Sequence, residues 1–142
     1  MQPIDILLVE DNEGDILLTT EALLEHKIVN NIFVVKDGIE ALNYLLKRDS
    51  FKNSATPDLI LLDINLPKLN GQEVLKQIRS FENIRHIPVV MLSTSSSSDD
   101  VSESFKNEAN CYITKPIDIE SFIREISSIR DLNISSELLL NS

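Results

Sequence analysis

Three acids and one amine stand at the exits of short apolar runs. Asp63 follows Leu59-Ile60-Leu61-Leu62, the pair Glu10-Asp11 follows Ile6-Leu7-Leu8-Val9, and Lys115 comes just after Cys111-Tyr112-Ile113. Such runs read as strands buried on both faces, and residues at their exits emerge where ligands collect on an open α/β sheet. Carboxylates gathered that closely repel, so one protonates unless a cation joins them. Mg²⁺ takes oxygen ligands from one or two carboxylates, a carbonyl and several waters. Asp11 and Asp63 are the expected direct ligands, Glu10 reaches the ion through water, and the backbone carbonyl of Asn65 supplies a further ligand. The three carboxylates, the divalent cation and Lys115 sum to a neutral site. Neutrality lets a dianionic phosphoryl group approach Asp63, as electrostatic catalysis of phosphoryl transfer requires.

An acid at a strand end is commonly a solvated loop residue or a helix cap, and a lone lysine is commonly a surface residue. Three strand ends carrying acid, acid and base in one chain weigh against that reading. For Lys115 it is the strand before it and Pro116 after it that argue for a role.

The elements that must position these groups alternate along the chain. Strands are expected near Ile4–Val9, Ile32–Val35, Leu59–Leu62, Val89–Leu92 and Cys111–Ile113. Helix-period segments fall near Glu13–His26, Gly38–Lys47, Gly71–Phe81, Asp99–Asn107 and Asp118–Arg130. This alternation predicts an α/β fold, a doubly wound five-stranded parallel sheet with helices on both faces. In the first helix Ile16, Leu17, Leu23 and Leu24 form the expected inward stripe; in the last, Phe122, Ile123, Ile126 and Ile129 do so, with Asp118 as N-cap. The polar stretch Arg48–Pro57 reads as a surface excursion, and the Ser95–Ser98 run as a flexible lead into the fourth helix.

Composition narrows the functions. A chain of 142 residues, 42% hydrophobic and 25% charged, is one soluble globular domain that buries roughly 68–70% of its unfolded surface. A net charge of −10 argues against nucleic acid and against anionic membranes, because phosphate contacts need clustered Lys and Arg. A single cysteine, Cys111, excludes an internal disulfide and fits a reducing cytoplasm. No signal peptide is expected before Ile4, and no apolar stretch approaches the roughly 20 residues needed to span a bilayer. The domain is expected over residues 1–131, with a tail at 132–142 too short for an output domain. Ile134, Leu138, Leu139 and Leu140 leave that tail open between a disordered end and a helical extension packing on a second subunit, a homodimer.

Five segments, in order, resemble the response-regulator receiver domains of two-component signalling: Ile6–Asn12, Asp58–Pro67, Asn70-Gly71, Ile87–Ser93 and Tyr112–Pro116. The resemblance covers essentially the whole chain and implies the flavodoxin-like (βα)5 receiver fold. Leu66-Pro67-Lys68 and Cys111–Lys115 are most similar to the stand-alone regulators serving phytochrome-type histidine kinases. The resemblance implies that Asp63 accepts a phosphoryl group from a phosphohistidine on a sensor histidine kinase, and that Glu10 and Asp11 organise Mg²⁺. It implies further that Lys115 pairs with the acceptor carboxylate, that the bond before Pro116 is cis, that Ser93 is the switch hydroxyl and that Tyr112 is the switch aromatic. The chain departs from the commonest pattern in having Glu-Asp for Asp-Asp, Ser93 for Thr, and no glycine in Ala109-Asn110-Cys111. Thr94 is a rival to Ser93, but strand alternation turns it to the other side.

The remaining titratable groups read blandly: Cys111 as a small core residue, His26 and His86 as surface residues. Tyr112 has a bland reading too, as a strand aromatic that never moves. Two other functions fit the same fold. A flavodoxin-like cofactor carrier would need an uncharged first loop, where Glu10-Asp11 repels a bare phosphate. A metal-dependent phosphohydrolase with an Asp nucleophile would need an acid two residues on, where the chain has Asn65. The favoured expectation is a phosphoacceptor signalling module, not a turnover enzyme, that binds a downstream protein or passes its phosphoryl group onward.

Overall fold

The computed structural model describes residues 3–129 and Leu132. Its strands are β1 Ile4–Val9, β2 Val29–Val35, β3 Leu59–Asp63, β4 Val89–Ser93 and β5 Cys111–Thr114; its helices are α1 Glu13–Leu24, α2 Gly38–Leu45, α3 Gly71–Ser80, α4 Ser98–Lys106 and α5 Ile119–Ser127. The strands form one parallel sheet in the order β2-β1-β3-β4-β5. Chain order reverses between β1 and β3, and ligands bind in the crevice beyond the strand ends at such a switch point. Glu10 and Asp63 sit there.

Strand alternation divides the core into two layers. Leu7, Val9, Ile60, Leu62, Val89 and Met91 face α2 and α3, where Val74, Leu75 and Ile78 meet them. Ile6, Leu8, Leu59, Leu61, Val90 and Leu92 face Leu23 of α1 and Phe122 and Ile126 of α5. Every residue of β3 and β4 is buried, which is why they read as unbroken apolar runs. Each helix starts on a side-chain cap: Asn12, Asp37, Asn70, Ser97 and Asp118 accept N–H groups of the first turn.

Several expectations need correction. In α1 only Leu23 of the expected stripe is fully buried, while Leu17 and Leu24 are 57% and 56% exposed. Both lie about one residue's rotation away from the Thr19–Leu23 face that meets the sheet. Apolar residues on two faces hide the phase of such a helix. Strand β2 starts three residues earlier than expected, because Asn30 and Asn31 are poor strand formers and a register irregularity lies beside them. His26 is buried, not superficial: its Nδ1 accepts the Ile28 N–H at 3.2 Å. The 48–57 connection is anchored, since it holds a 3₁₀ turn at Asp49–Phe51 whose Phe51 ring meets Tyr44 at 5.4 Å. His86 is exposed and Cys111 buried, as expected. Arg130 and the tail from residue 133 lie outside the described residues.

Helix α4 is unlike the others: its one buried side chain is Ser104. Gln72 Nε2 on α3 donates to Ser104 Oγ at 2.8 Å, Ser104 donates to the Asp100 carbonyl, and Asn107 Nδ2 donates to Gln72 Oε1 at 3.1 Å.

Candidate phosphoacceptor site

Asp63 is the last residue of β3, Glu10 and Asp11 leave β1, and Lys115 leaves β5, so all four rise from the same sheet edge. The side chains of Glu10, Asp63 and Lys115 are 1%, 5% and 9% exposed. Lys115 Nζ donates to Glu10 Oε1 and, at 3.0 Å, to Asp63 Oδ2. Glu10 Oε2 accepts the N–H groups of Asp11 and Asn12, and Asp63 Oδ1 accepts the Asn65 N–H at 3.1 Å. The Lys115–Pro116 peptide bond is cis.

The position of Gly71 fixes how α3 meets this edge. Its N–H donates to the Ile64 carbonyl at 2.8 Å, and a Cβ there would lie 2.3 Å from the Asp63 carbonyl oxygen. Only glycine lets the start of α3 press against the strand end that carries Asp63.

Electrostatics follow from crowding. Burial, and after it the neighbouring Asp63, push the Glu10 carboxyl up to about 7 against the opposing pull of Lys115. Burial alone would lower the Lys115 ammonium, but Glu10, Asp15 and Asp63 hold it above the ordinary lysine range. Oxygens of Glu10, Asp11 and Asp63 lie within 4.8 Å of one another. This all-oxygen, acid-rich donor set fits a hard divalent cation rather than a soft one. Asn65 lines the same cleft of roughly 200 Å³.

One residue of the site escaped the sequence reading, and another was set aside by it. Asp15, in the first turn of α1, donates its carboxylate to the cluster by accepting from Lys115 Nζ at 3.0 Å. The signal was present, because a helix beginning two residues after Asp11 must hang its first turn over the site. Thr94 lines the cleft, contrary to the expectation from alternation. Strand β4 ends at Ser93, so Thr94 lies beyond the pleat that would have turned it away. Ser93 is buried, and its Oγ accepts the Ser95 N–H at 3.0 Å. Tyr112 is half-buried, and its hydroxyl donates to the Ser95 carbonyl at 2.7 Å.

The model of the response regulator receiver domain matches residues 6–127, which includes every group just described. The chain belongs to that family. Among relatives of this receiver domain, the response regulator Rcp1 of Synechocystis sp. is 40% identical over 124 residues, 87% of this chain and 84% of Rcp1. The crystal structure of the phosphorylated cyanobacterial phytochrome response regulator RcpA is 42% identical, with a TM-score of 0.78, covering 94% of this chain and 95% of that one. The Mn²⁺-bound form of Rcp1 is 36% identical, with a TM-score of 0.78, covering 94% and 98%. The receiver fold expected from the sequence is thus the fold observed, and the chain is a signalling receiver of the two-component class. A flavodoxin-like cofactor carrier is not favoured.

Proposed function

We propose that Asp63 is the phosphoacceptor, taking its phosphoryl group from a phosphohistidine of a sensor histidine kinase in a Mg²⁺-dependent reaction. The observation that carries this is the Lys115–Asp63 contact at 3.0 Å inside a cluster that also holds Glu10 and Asp11. An Asp63 oxygen attacks phosphorus, the nitrogen–phosphorus bond of the donor breaks, and its electron pair returns to the imidazole. Lys115 holds the acceptor carboxylate in place and offers its charge to the arriving phosphoryl oxygens. Asp11 and Asp63 would hold a Mg²⁺ ion directly, with Glu10 through water and the Asn65 carbonyl, and the ion would supply the remaining charge screening.

The same reading gives Ser93 and Tyr112 a switching role, supported by their shared attachment to Ser95. Ser93 can donate its O–H to a phosphoryl oxygen; rotating to do so displaces the acceptor of the Ser95 N–H, and with it the carbonyl that anchors Tyr112. Phosphorylation then selects between two arrangements of the face built from α4, β5 and α5, read by a downstream protein or phosphotransfer domain. On α1, whose first turn reaches the site, Leu17 and Leu18 are more than half exposed and would offer a kinase helix an apolar seat. The similarity to the phytochrome response regulator RcpA favours a phytochrome-type kinase. Asn65 in place of an acid supports a phosphoacceptor over a phosphohydrolase. We place this activity in the cytoplasm; among the described residues no helix is long and apolar enough to cross a membrane.

The test is labelling by acetyl phosphate or a phosphorylated kinase. Asp63→Asn should abolish an incorporation that is cleaved by hydroxylamine, as acyl phosphates are. Undiminished labelling of that variant would assign the phosphoryl group elsewhere.

A further inference from the structure

The Lys115 ammonium has three hydrogens, and three carboxylates accept them: Glu10, Asp63 at 3.0 Å and Asp15 at 3.0 Å. No hydrogen is left over for a phosphoryl oxygen. A group arriving on Asp63 must take one that an acid now holds. Glu10 is poorly placed to yield, since its other oxygen is fixed by two backbone N–H groups and the side chain is sealed from water. Asp63 is the reacting residue itself. Asp15 is different: its side chain is 37% exposed, so it can turn to solvent once released. Its backbone N–H is tied to the Asn12 cap at 2.9 Å, which holds the residue in place whatever its carboxylate does. The side chain stands between the acidic cleft and the neighbouring cleft formed by α1 with Pro116 and Ile117.

We propose that Asp15 is a positioning residue that competes with the incoming phosphoryl group for the Lys115 ammonium, slowing phosphorylation of Asp63 while strengthening cation binding in the resting site. The inference rests on Asp63 being the acceptor. With Asp15 counted, four carboxylates face one divalent cation and one ammonium, so the resting site carries one negative charge rather than none. As the oxygen–phosphorus bond forms at Asp63 and the donor's nitrogen–phosphorus bond breaks, the Lys115 hydrogen bond passes from Asp15 to a phosphoryl oxygen. No proton is transferred in that exchange. Asp15 thereby restrains the reaction through the Lys115 ammonium.

Asp15→Asn keeps the shape and removes the charge; Asp15→Glu keeps the charge on a side chain one methylene longer. Labelling by acetyl phosphate at saturating Mg²⁺, and Mg²⁺ affinity of the unphosphorylated protein by calorimetry, are measured for wild type and both variants. D15N should be labelled about three- to tenfold faster yet bind Mg²⁺ about three- to tenfold more weakly, as expected of one partly exposed charge nearby. D15E should stay within about twofold of wild type in both, since the lost interaction is one of charge. A merely structural role would shift both measurements the same way or neither. D15N labelled no faster than wild type, D15N with wild-type cation affinity, or D15E behaving as D15N overturns the proposal. If the wild type binds the cation but takes no label, the reading of Asp63 falls and this inference with it. If the wild type is labelled and D15N matches it, this inference alone falls.

Discussion

His26 is a buried imidazole with one nitrogen occupied: Nδ1 accepts the Ile28 N–H, so Nε2 carries the proton, and among the described residues it has no partner. Burial lowers its pKa from the ordinary value, because the charged form would lose hydration and the Nδ1 contact together. The folded protein thus resists taking up a proton that the unfolded chain accepts below about pH 6.5, and stability contributed at neutral pH is lost as pH falls below that value. His26→Asn retains an acceptor near Nδ1 without the titration. Urea unfolding at about pH 7.5 and about pH 5.5 should show a larger loss of stability on acidification in the wild type than in the variant. Equal losses would show that folding leaves the proton affinity of the imidazole unchanged. Cys111 is inert by the same physics, burial pushing its thiol up to about 11. The sequence located Glu10, Asp11, Asp63 and Lys115 because each follows an unmistakable strand. It could not locate His26, whose neighbours Glu25 and Lys27 are polar and whose burial comes from the turn that reverses the chain into β2.

At the scale of elements, the strand cores, the Asp118 cap and the buried stripe of α5 were legible, and the phase of α1 was not. Strands β3 and β4 are uniformly apolar, so no register had to be guessed; α1 is apolar on two sides, so the sheet-facing one could not be chosen from spacing. The helix starts were readable for Asp118 because capping is local chemistry. The junction of β3 with α3 is the element contact on which the site most depends. Replacing Gly71 by Ala forces a methyl group into the Asp63 backbone, which must retreat. Gly71→Ala is expected to cost about 1–3 kcal/mol of stability, in the range of overpacked sites, and to slow labelling of Asp63 by more than that loss of folded protein explains. Denaturant unfolding and acetyl phosphate labelling together check both halves. Arg79 performs a complementary task at the other end of α3. Its guanidinium donates to the carbonyls of Arg85, Ile87 and Glu108 and to the Asn110 side chain, binding two loops that connect to β4 and β5.

The whole molecule concentrates unfavourable charge in one place. A chain of net charge −10 gathers three carboxylates around a single lysine with a fourth, Asp11, close by, and the fold must hold them together. A divalent cation that binds the assembled cluster and not the unfolded chain stabilises the fold by mass action. Raising free Mg²⁺ to about a hundred times its dissociation constant should add about 2.7 kcal/mol to the unfolding free energy, and a chelator should remove it. Asp63→Asn should blunt this gain, and an unchanged gain would place the ion elsewhere. Helix α4 leads to a different consequence. Moored by an amide, a hydroxyl and a second amide, it buries no apolar side chain of its own, so peeling it away trades internal polar contacts for water without exposing a buried apolar residue of the helix. A signalling protein built this way can reshape one flank many times over without ever becoming adhesive toward its neighbours.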